Sequence, residues 1–332
     1  MKIGIYTTEL GQHVSGGILC IVETLNALVK AGHDCVCFVD KPPYRSDWLH
    51  TNFPVEPVSN MSKYDGILVS PYSPTAEAVS KATNAEDRFY WVHTNESLFC
   101  HNGKAWQDMA RQSYDLPIKI FCTASYLQII METIFNRHVI GTLVPPGVDS
   151  NIFTPGRQSQ GTLYVGMLNR PGWVRGVDAA QHAIGQAIRL SGLTSIQPVA
   201  VPHTNDRKTM AYCYQRMDVY LDMSRVAGSP TPVKEAMACG AIPICTKYGT
   251  TDFVLDGHNG FIAPVDDPAY VANLLVNLHD SYELRQQIAQ SAVDTAQQYT
   301  WDKIAARFIS AISEGKSRGD ELLKKRDWYI QR

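Results

Sequence analysis

Between residues 224 and 268 the chain runs SRVAGSPTPVKEAMACGAIPICTKYGTTDFVLDGHNGFIAPVDDP, and several of these side chains suit anion and hydroxyl recognition. Residues 228–232 form a Gly/Pro turn that leads into a helix, with Pro232 suited to the first helical positions. A helix start leaves backbone N–H groups without intrahelical partners, and a phosphate is a natural acceptor for them. Thr231, Val233 and Lys234 can offer such groups, with Ser229 in the same turn, whereas Pro230 and Pro232 have none. Glu235 stands one turn inside, where its carboxylate can accept hydrogen bonds from the vicinal hydroxyls of a sugar. An acid there also simply complements the helix dipole. The second candidate is the loop TTELGQHVSGGILC over 7–20. Gly16 and Gly17 follow a strand and precede a helix, so backbone can approach a ligand there, although a turn alone would use the same residues. The spacing is not G-x-G-x-x-G, because Gly11 stands by itself. Asp40, ending the next strand, is then a poor match to the acid of a dinucleotide site, and a dinucleotide oxidoreductase ranks last.

The elements around these residues alternate. KIGIYT (2–7) is a strand, and 18–32 places Ile18, Ile21, Val22, Leu25, Leu28 and Val29 at helical spacing up to Gly32. Further strands are predicted at 33–40, 66–70, 88–93 and 118–123, with helices near 75–83, 104–114 and 124–135. A Pro/Gly-rich stretch over 144–161 reads as a linker. Strands at 163–168, 195–202, 219–224 and 241–246 then alternate with helices at 177–190, 206–216 and from about 231, and 267–314 is helical in two or three pieces. Continuous apolar strands separated by helices imply parallel sheets covered on both faces. The fold class expected is α/β, with two doubly wound, Rossmann-like domains facing across a cleft and ligands at the carboxyl ends of the strands. The boundaries expected are 1–155 and 156–314, with 315–332 packing back on the first domain.

Composition excludes other classes. The 332 residues are 45% hydrophobic and 19% charged, which is neither a disordered nor a collagen-like chain. A net charge of −2 provides no broad basic field for nucleic acid or anionic lipid. No run approaches the length of a transmembrane helix, and MKIGIYTTEL lacks the apolar core of a secretory signal. The eight cysteines are scattered without a C-x-x-C pair, which fits buried thiols in a reducing compartment and predicts a cytoplasmic protein.

Taken together, these motifs resemble the retaining GT-B glycosyltransferases of family four. Glu235-Ala236-Met237-Ala238-Cys239-Gly240-Ala241-Ile242-Pro243-Ile244 is similar to that family's signature, and Asn259-Gly260 through to Pro264 to the short strand that follows it. Gly16-Gly17, Gly32-His33, Pro146-Gly147-Val148-Asp149, Val165-Gly166, Arg175-Gly176 and Thr300-Trp301 occur in the family's order. The resemblance implies a nucleotide-sugar held mainly by the second domain and an acceptor held mainly by the first. Glu235 would grip the nucleotide ribose, Gly16 and Gly17 would approach the diphosphate, and His93 would contact the transferred sugar. A histidine at a strand end is, by itself, more often structural.

Three departures accompany the resemblance. The family's second acid, eight positions before Glu235, is Ala227, so sugar recognition must differ there. The arginine expected after Val165-Gly166 is Met167, with Arg170 nearby in a longer loop. The lysine before Gly176 is Arg175, which keeps the charge and adds a fork suited to phosphate oxygens. Cleaving a glycosyl–phosphate bond builds charge on the departing diphosphate, which Arg175, Arg170 and helix N-termini can stabilise. With no D-x-D motif, the expectation is metal-independent transfer with retention and no cofactor, the donor being a uridine diphosphate sugar. The acceptor stays open. Residues 102–115 carry balanced charges, which argues against a lipid surface. Residues 316–332 are net +3 and include Lys324-Lys325-Arg326 beside Trp328 and Tyr329, so a hydroxymethylated DNA base is an alternative acceptor. Packing of that tail on the neighbouring domain is the plainer reading. A non-catalytic sugar-nucleotide binding protein and a GT-B epimerase are further readings of the same motifs.

Overall fold

A computed structural model describes residues 1–11, 15–41, 48–99, 102–156, 158–169, 172–192, 195–202, 204 and 206–325. The chain divides into two units, Met1–Pro146 with Trp301–Arg332, and Gly147–Thr300.

In the first unit the elements are β1 (Lys2–Thr7), α1 (Gly16–Lys30), β2 (Asp34–Val39), β3 (Val55–Pro57), β4 (Ile67–Ser70), α2 (Ser73–Ser80), β5 (Asp87–Val92), α3 (Lys104–Ser113), β6 (Lys119–Cys122) and α4 (Ser125–Thr133). The strands form one sheet in the order β3-β2-β1-β4-β5-β6, and every pairing is parallel. All four residues of β4 and of β6 are buried, the pattern of strands covered on both faces. Helix α1 begins at Gly16, two residues before its apolar stripe. It ends in a Schellman turn, with Gly32 at φ +86° donating to Val29 and His33 donating to Leu28. Sequence reasoning missed β3, which is only three residues long and ends in proline.

The second unit holds β7 (Leu163–Leu168), α5 (Val177–Ser191), β8 (Ile196–Val201), α6 (Arg207–Gln215), β9 (Val219–Asp222), α7 (Thr231–Ala238), β10 (Ile242–Cys245), β11 (Phe261–Ile262), α8 (Pro268–Asp280) and α9 (Tyr282–Ala296). Its sheet order is β11-β10-β9-β7-β8, again wholly parallel. Strand β9 stops at Asp222, short of the expected 224, because the Asp222 carboxylate accepts the Ser224 amide at 3.1 Å and bends the chain. The last helix, α10 (Trp301–Arg318), belongs to the first unit.

The division differs from the boundaries expected at 155/156 and 314/315. The segment after Pro146 stays with the second unit because the Val148 amide donates to the Tyr299 carbonyl at 2.8 Å and the Gly156 amide to Cys239 at 2.8 Å. The whole of α10 lies with the first because Phe308 packs edge-on against Trp91 and Phe121. Glu314 also accepts the amides of Gly141 and Thr142 at 2.7 and 3.0 Å. Among the described residues, Arg137 in the first unit and Arg285 in the second are buried on backbone carbonyls. Arg137 donates to Tyr114, Leu116 and Ile118. Arg285 donates to Leu278, His279 and Ser159. Spending a guanidinium on orphaned carbonyls satisfies the ends of elements that would otherwise be buried without partners.

Candidate functional site

In a doubly wound sheet the loops part at the point where strand order reverses, and that crevice is where ligands sit. The first unit reverses between β1 and β4, the second between β7 and β9. The two places are built differently.

At the first reversal, Thr8 follows β1 and Tyr72 follows β4. The Tyr72 hydroxyl accepts the Thr8 amide at 3.0 Å and meets the Thr8 hydroxyl. Beside them Tyr6 donates to Asp40 at 2.5 Å, so Asp40 is engaged by the protein itself. Gly16 and Gly17 open α1. A Cβ at Gly16 would meet nothing within 4 Å, and one at Gly17 only the Ser15 hydroxyl at 3.7 Å. Among the described residues, packing therefore does not require glycine at either place.

His93 follows β5. Its ring lies edge-on to Trp91 with centroids 4.2 Å apart, its carbonyl accepts the Thr123 hydroxyl at 3.1 Å, and Nε2 is buried without a hydrogen-bond partner among the described residues. Burial pushes the imidazole down to about 3, so the ring is neutral over the physiological range. Three residues on, Glu96 is 5% exposed. It accepts the Ser73 amide at 3.2 Å and the Ser73 hydroxyl at the start of α2, and its own amide donates to the Tyr114 hydroxyl at 3.0 Å. Burial pushes its carboxyl up to about 7, with the Ser73 bonds opposing. Glu96 thus caps α2 from a distant segment, since Tyr72 at the cap position supplies no side-chain bond. Sequence reasoning did not single out Glu96, because its partner lies 23 positions away.

At the second reversal, the turn Trp173–Arg175 after β7 meets the segment after β9. Gly176 adopts φ +59°, and a Cβ there would stand 1.9 Å from the Met223 carbonyl oxygen, so only glycine permits the approach. Arg175 ends the turn with an exposed side chain. Arg170 lies outside the described residues. Gly166 sits inside β7, where a Cβ would strike Met217 at 2.3 Å; core packing accounts for this glycine.

Helix α7 starts at Thr231 after Pro230, with no side-chain cap. Its first amides, at Thr231 and Val233, are the kind an anion can occupy. Glu235 is 3% exposed in this helix. The Lys234 side chain turns inward: its ammonium lies 4.5 Å from the Phe253 ring centroid and 5.6 Å from that of Tyr299, and donates to the Ser229 hydroxyl at 2.7 Å. Its charge therefore braces the turn before α7, leaving only its amide as a candidate ligand group. Ala227 is 6% exposed and provides no carboxylate.

The basic tail also has internal partners. Lys316 pairs with Glu86 at 2.5 Å, Arg318 donates to the Val139 carbonyl at 2.8 Å, and Lys325 pairs with Asp115. Residues 326–332, with Trp328 and Tyr329, lie outside the described residues. Among the described residues no helix is long and apolar enough to cross a membrane.

Two parallel, doubly wound sheets with these reversal points define a GT-B fold, and solved structures with that architecture agree. The chain resembles sucrose-phosphate synthase from Thermosynechococcus elongatus with a TM-score of 0.75 at 13% identity, covering 96% of this chain and 100% of that one. It resembles the Anabaena protein HepE, solved in complex with UDP, with a TM-score of 0.72 at 14% identity, covering 95% and 100%. Residues 161–281, within the second unit, match the family model described as glycosyl transferases group 1. Among curated relatives, D-inositol 3-phosphate glycosyltransferase from Corynebacterium efficiens is 34% identical over 84 residues, 25% of this chain and 18% of the relative. Its namesake from Xylanimonas cellulosilytica is 25% identical over 215 residues, 53% and 52% of the two chains. The matched stretches thus span at most about half of these relatives' lengths.

Proposed function

We propose that the protein is a glycosyltransferase that moves a sugar from a uridine diphosphate donor to an acceptor hydroxyl, with retention and without a metal. The observation that carries this reading is the second reversal point. There the Arg175 turn and the uncapped start of α7, with Glu235 inside it, belong to one unit, and all fall within the matched glycosyltransferase domain. HepE, with the same fold, is solved with UDP and with UDP-glucose, which supports a uridine diphosphate donor.

In this reading Glu235 accepts the ribose hydroxyls, and the α7 amides face diphosphate oxygens. Arg175 stabilises the charge that grows as the glycosyl–phosphate bond breaks. One cation about 4 Å from that charge is worth roughly 4 kcal/mol at an effective dielectric near 20. The leaving phosphate takes the proton of the acceptor hydroxyl, and the neutral His93 ring hydrogen-bonds the transferred sugar through Nε2. By the family resemblance, the glycines at Gly16 and Gly17 would let backbone approach the diphosphate. Ala227 removes one acid from the sugar's surroundings and so alters which donor sugar is accepted. Because Glu86 and Asp115 pair with the tail's lysines, a saccharide or other small hydroxyl compound is favoured over a DNA base as acceptor.

The test is release of UDP from a panel of UDP-sugars by the purified chain, with and without EDTA. Slow release that EDTA leaves unchanged is the expected outcome. Binding of UDP with no release from any donor would instead identify a non-catalytic binding protein, and loss of activity with EDTA would overturn the metal-independent mechanism.

A further inference from the structure

Arg225 stands three residues beyond β9, in a place the functional reading leaves unused. It is 9% exposed, and its guanidinium meets acceptors on every side. Nε donates to Asp266 at 2.8 Å, Nη1 to the Trp173 carbonyl at 2.6 Å and to Asp178 at 3.0 Å, and Nη2 to Asp178 at 2.9 Å. Nη2 also lies 2.6 Å from Asp266. An arginine has five N–H donors, and these contacts use all five. Arg225 therefore has no donor left for a phosphate, and the two carboxylates around it make the cluster net negative. An anion has no reason to bind here.

The cluster instead grips the turn that carries Arg175. The Arg225 side chain takes the Trp173 carbonyl, and its backbone amide takes the Val174 carbonyl at 2.8 Å. Its bidentate pair with Asp178 holds the first turn of α5, just past Gly176. The Trp173 ring lies 5.4 Å from the guanidinium carbon. Trp173, Val174, Gly176 and Asp178 thus each touch either Arg225 or the Met223 backbone beside it.

We propose that Arg225 is a positioning residue for the transfer reaction: it fixes the 173–176 turn so that Arg175 is held at the donor diphosphate. The inference rests on the donor reading given above. A planar fork suits this work because it binds a carbonyl and two carboxylates at fixed angles, which a lysine cannot do.

The experiment uses the full chain with Arg225→Met, Arg175→Ala, the double variant and the milder Asp178→Asn. The Asp178 and Asp266 side chains are 63% and 52% exposed, so water can solvate them when Arg225 is gone and the fold is expected to survive. Thermal unfolding checks this, and Asp178→Asn keeps the test alive if Arg225→Met does not fold. The expected result is faster amide hydrogen exchange confined to 173–178, with kcat for UDP release down by about a hundredfold, the scale of a small misplacement at a reacting centre. The double variant should be no slower than Arg175→Ala, because the two residues act through one contact. Unchanged exchange, or losses that multiply in the double variant, overturns the inference alone. A silent Arg175→Ala overturns the donor reading and the inference with it, as does the absence of any UDP release.

Discussion

The two sheets reverse their strand order in the same way but finish the crevice with different materials. Where β1 and β4 part, side chains bond to one another, Tyr72 with Thr8 and Glu96 with Ser73, and after the neighbouring β5 the His93 ring is uncharged beside Trp91. Where β7 and β9 part, the surface is backbone and cation: a glycine pressed on the Met223 carbonyl, a helix start without a side-chain cap, and the exposed Arg175 on a turn gripped by Arg225. In the proposed reaction the second arrangement would face an anion whose charge grows as the glycosyl–phosphate bond breaks. Similar topology therefore does not imply similar chemistry, which resides in the few residues just beyond the strand ends.

Substitutions that act on one crevice and not the other sharpen this contrast. The largest effect is expected from Arg175→Ala, which should lower kcat/KM for the donor by about 3–4 kcal/mol while leaving thermal unfolding unchanged. Wild-type turnover in that variant would remove the cationic crevice from the mechanism.

Next comes the pH dependence that Glu96 imposes on stability. Its folded carboxyl is pushed up to about 7 from an ordinary 4.5, so between those values the native state holds a proton that the unfolded chain has lost. Stability must then fall as pH rises through this window, by on the order of 3 kcal/mol for a shift of that size. His93, pushed down to about 3 from 6.5, contributes the opposite slope over its own window, its stabilisation being lost as pH falls. The informative quantity is consequently the wild-type profile minus that of Glu96→Gln, measured by denaturant unfolding. That difference should decline between pH 4.5 and 7 and be flat if the carboxyl is ordinary.

The smallest effect separates folding from function at α1. Among the described residues a Cβ at Gly16 meets nothing within 4 Å, so Gly16→Ala should stabilise the fold by about 0.4–1 kcal/mol through the unfolded chain and helix propensity. If the backbone there approaches a diphosphate, the same variant raises KM for the donor. A stabilised variant with an unaltered KM would assign this glycine to the turn alone.

How far the sequence is legible depends on the range of the interactions involved. Alternating apolar strands and helices, the uncapped start of α7, Glu235 within it and the glycines before α1 are all local patterns, and the sheets place each at a strand end or helix start. Their order along the chain also carries the family resemblance that the 161–281 match supports. The division of the chain is not local. Residues just after Pro146 belong with the second unit because Val148 pairs near Thr300, far along the sequence.

Residue types and near-neighbour spacing by themselves settled the two-sheet α/β architecture, because periodicity and helix-start chemistry act within a few positions. Long-range packing alone decided that the Lys234 charge turns inward onto Phe253 and Tyr299, and that Gly166 answers to Met217. It also decided that Glu96 caps a helix 23 residues behind it and that Arg225 serves Trp173 and Asp178 from 52 and 47 positions away. Whether a buried charge is a ligand or a brace depends on which partners surround it, and only the folded chain brings those partners together.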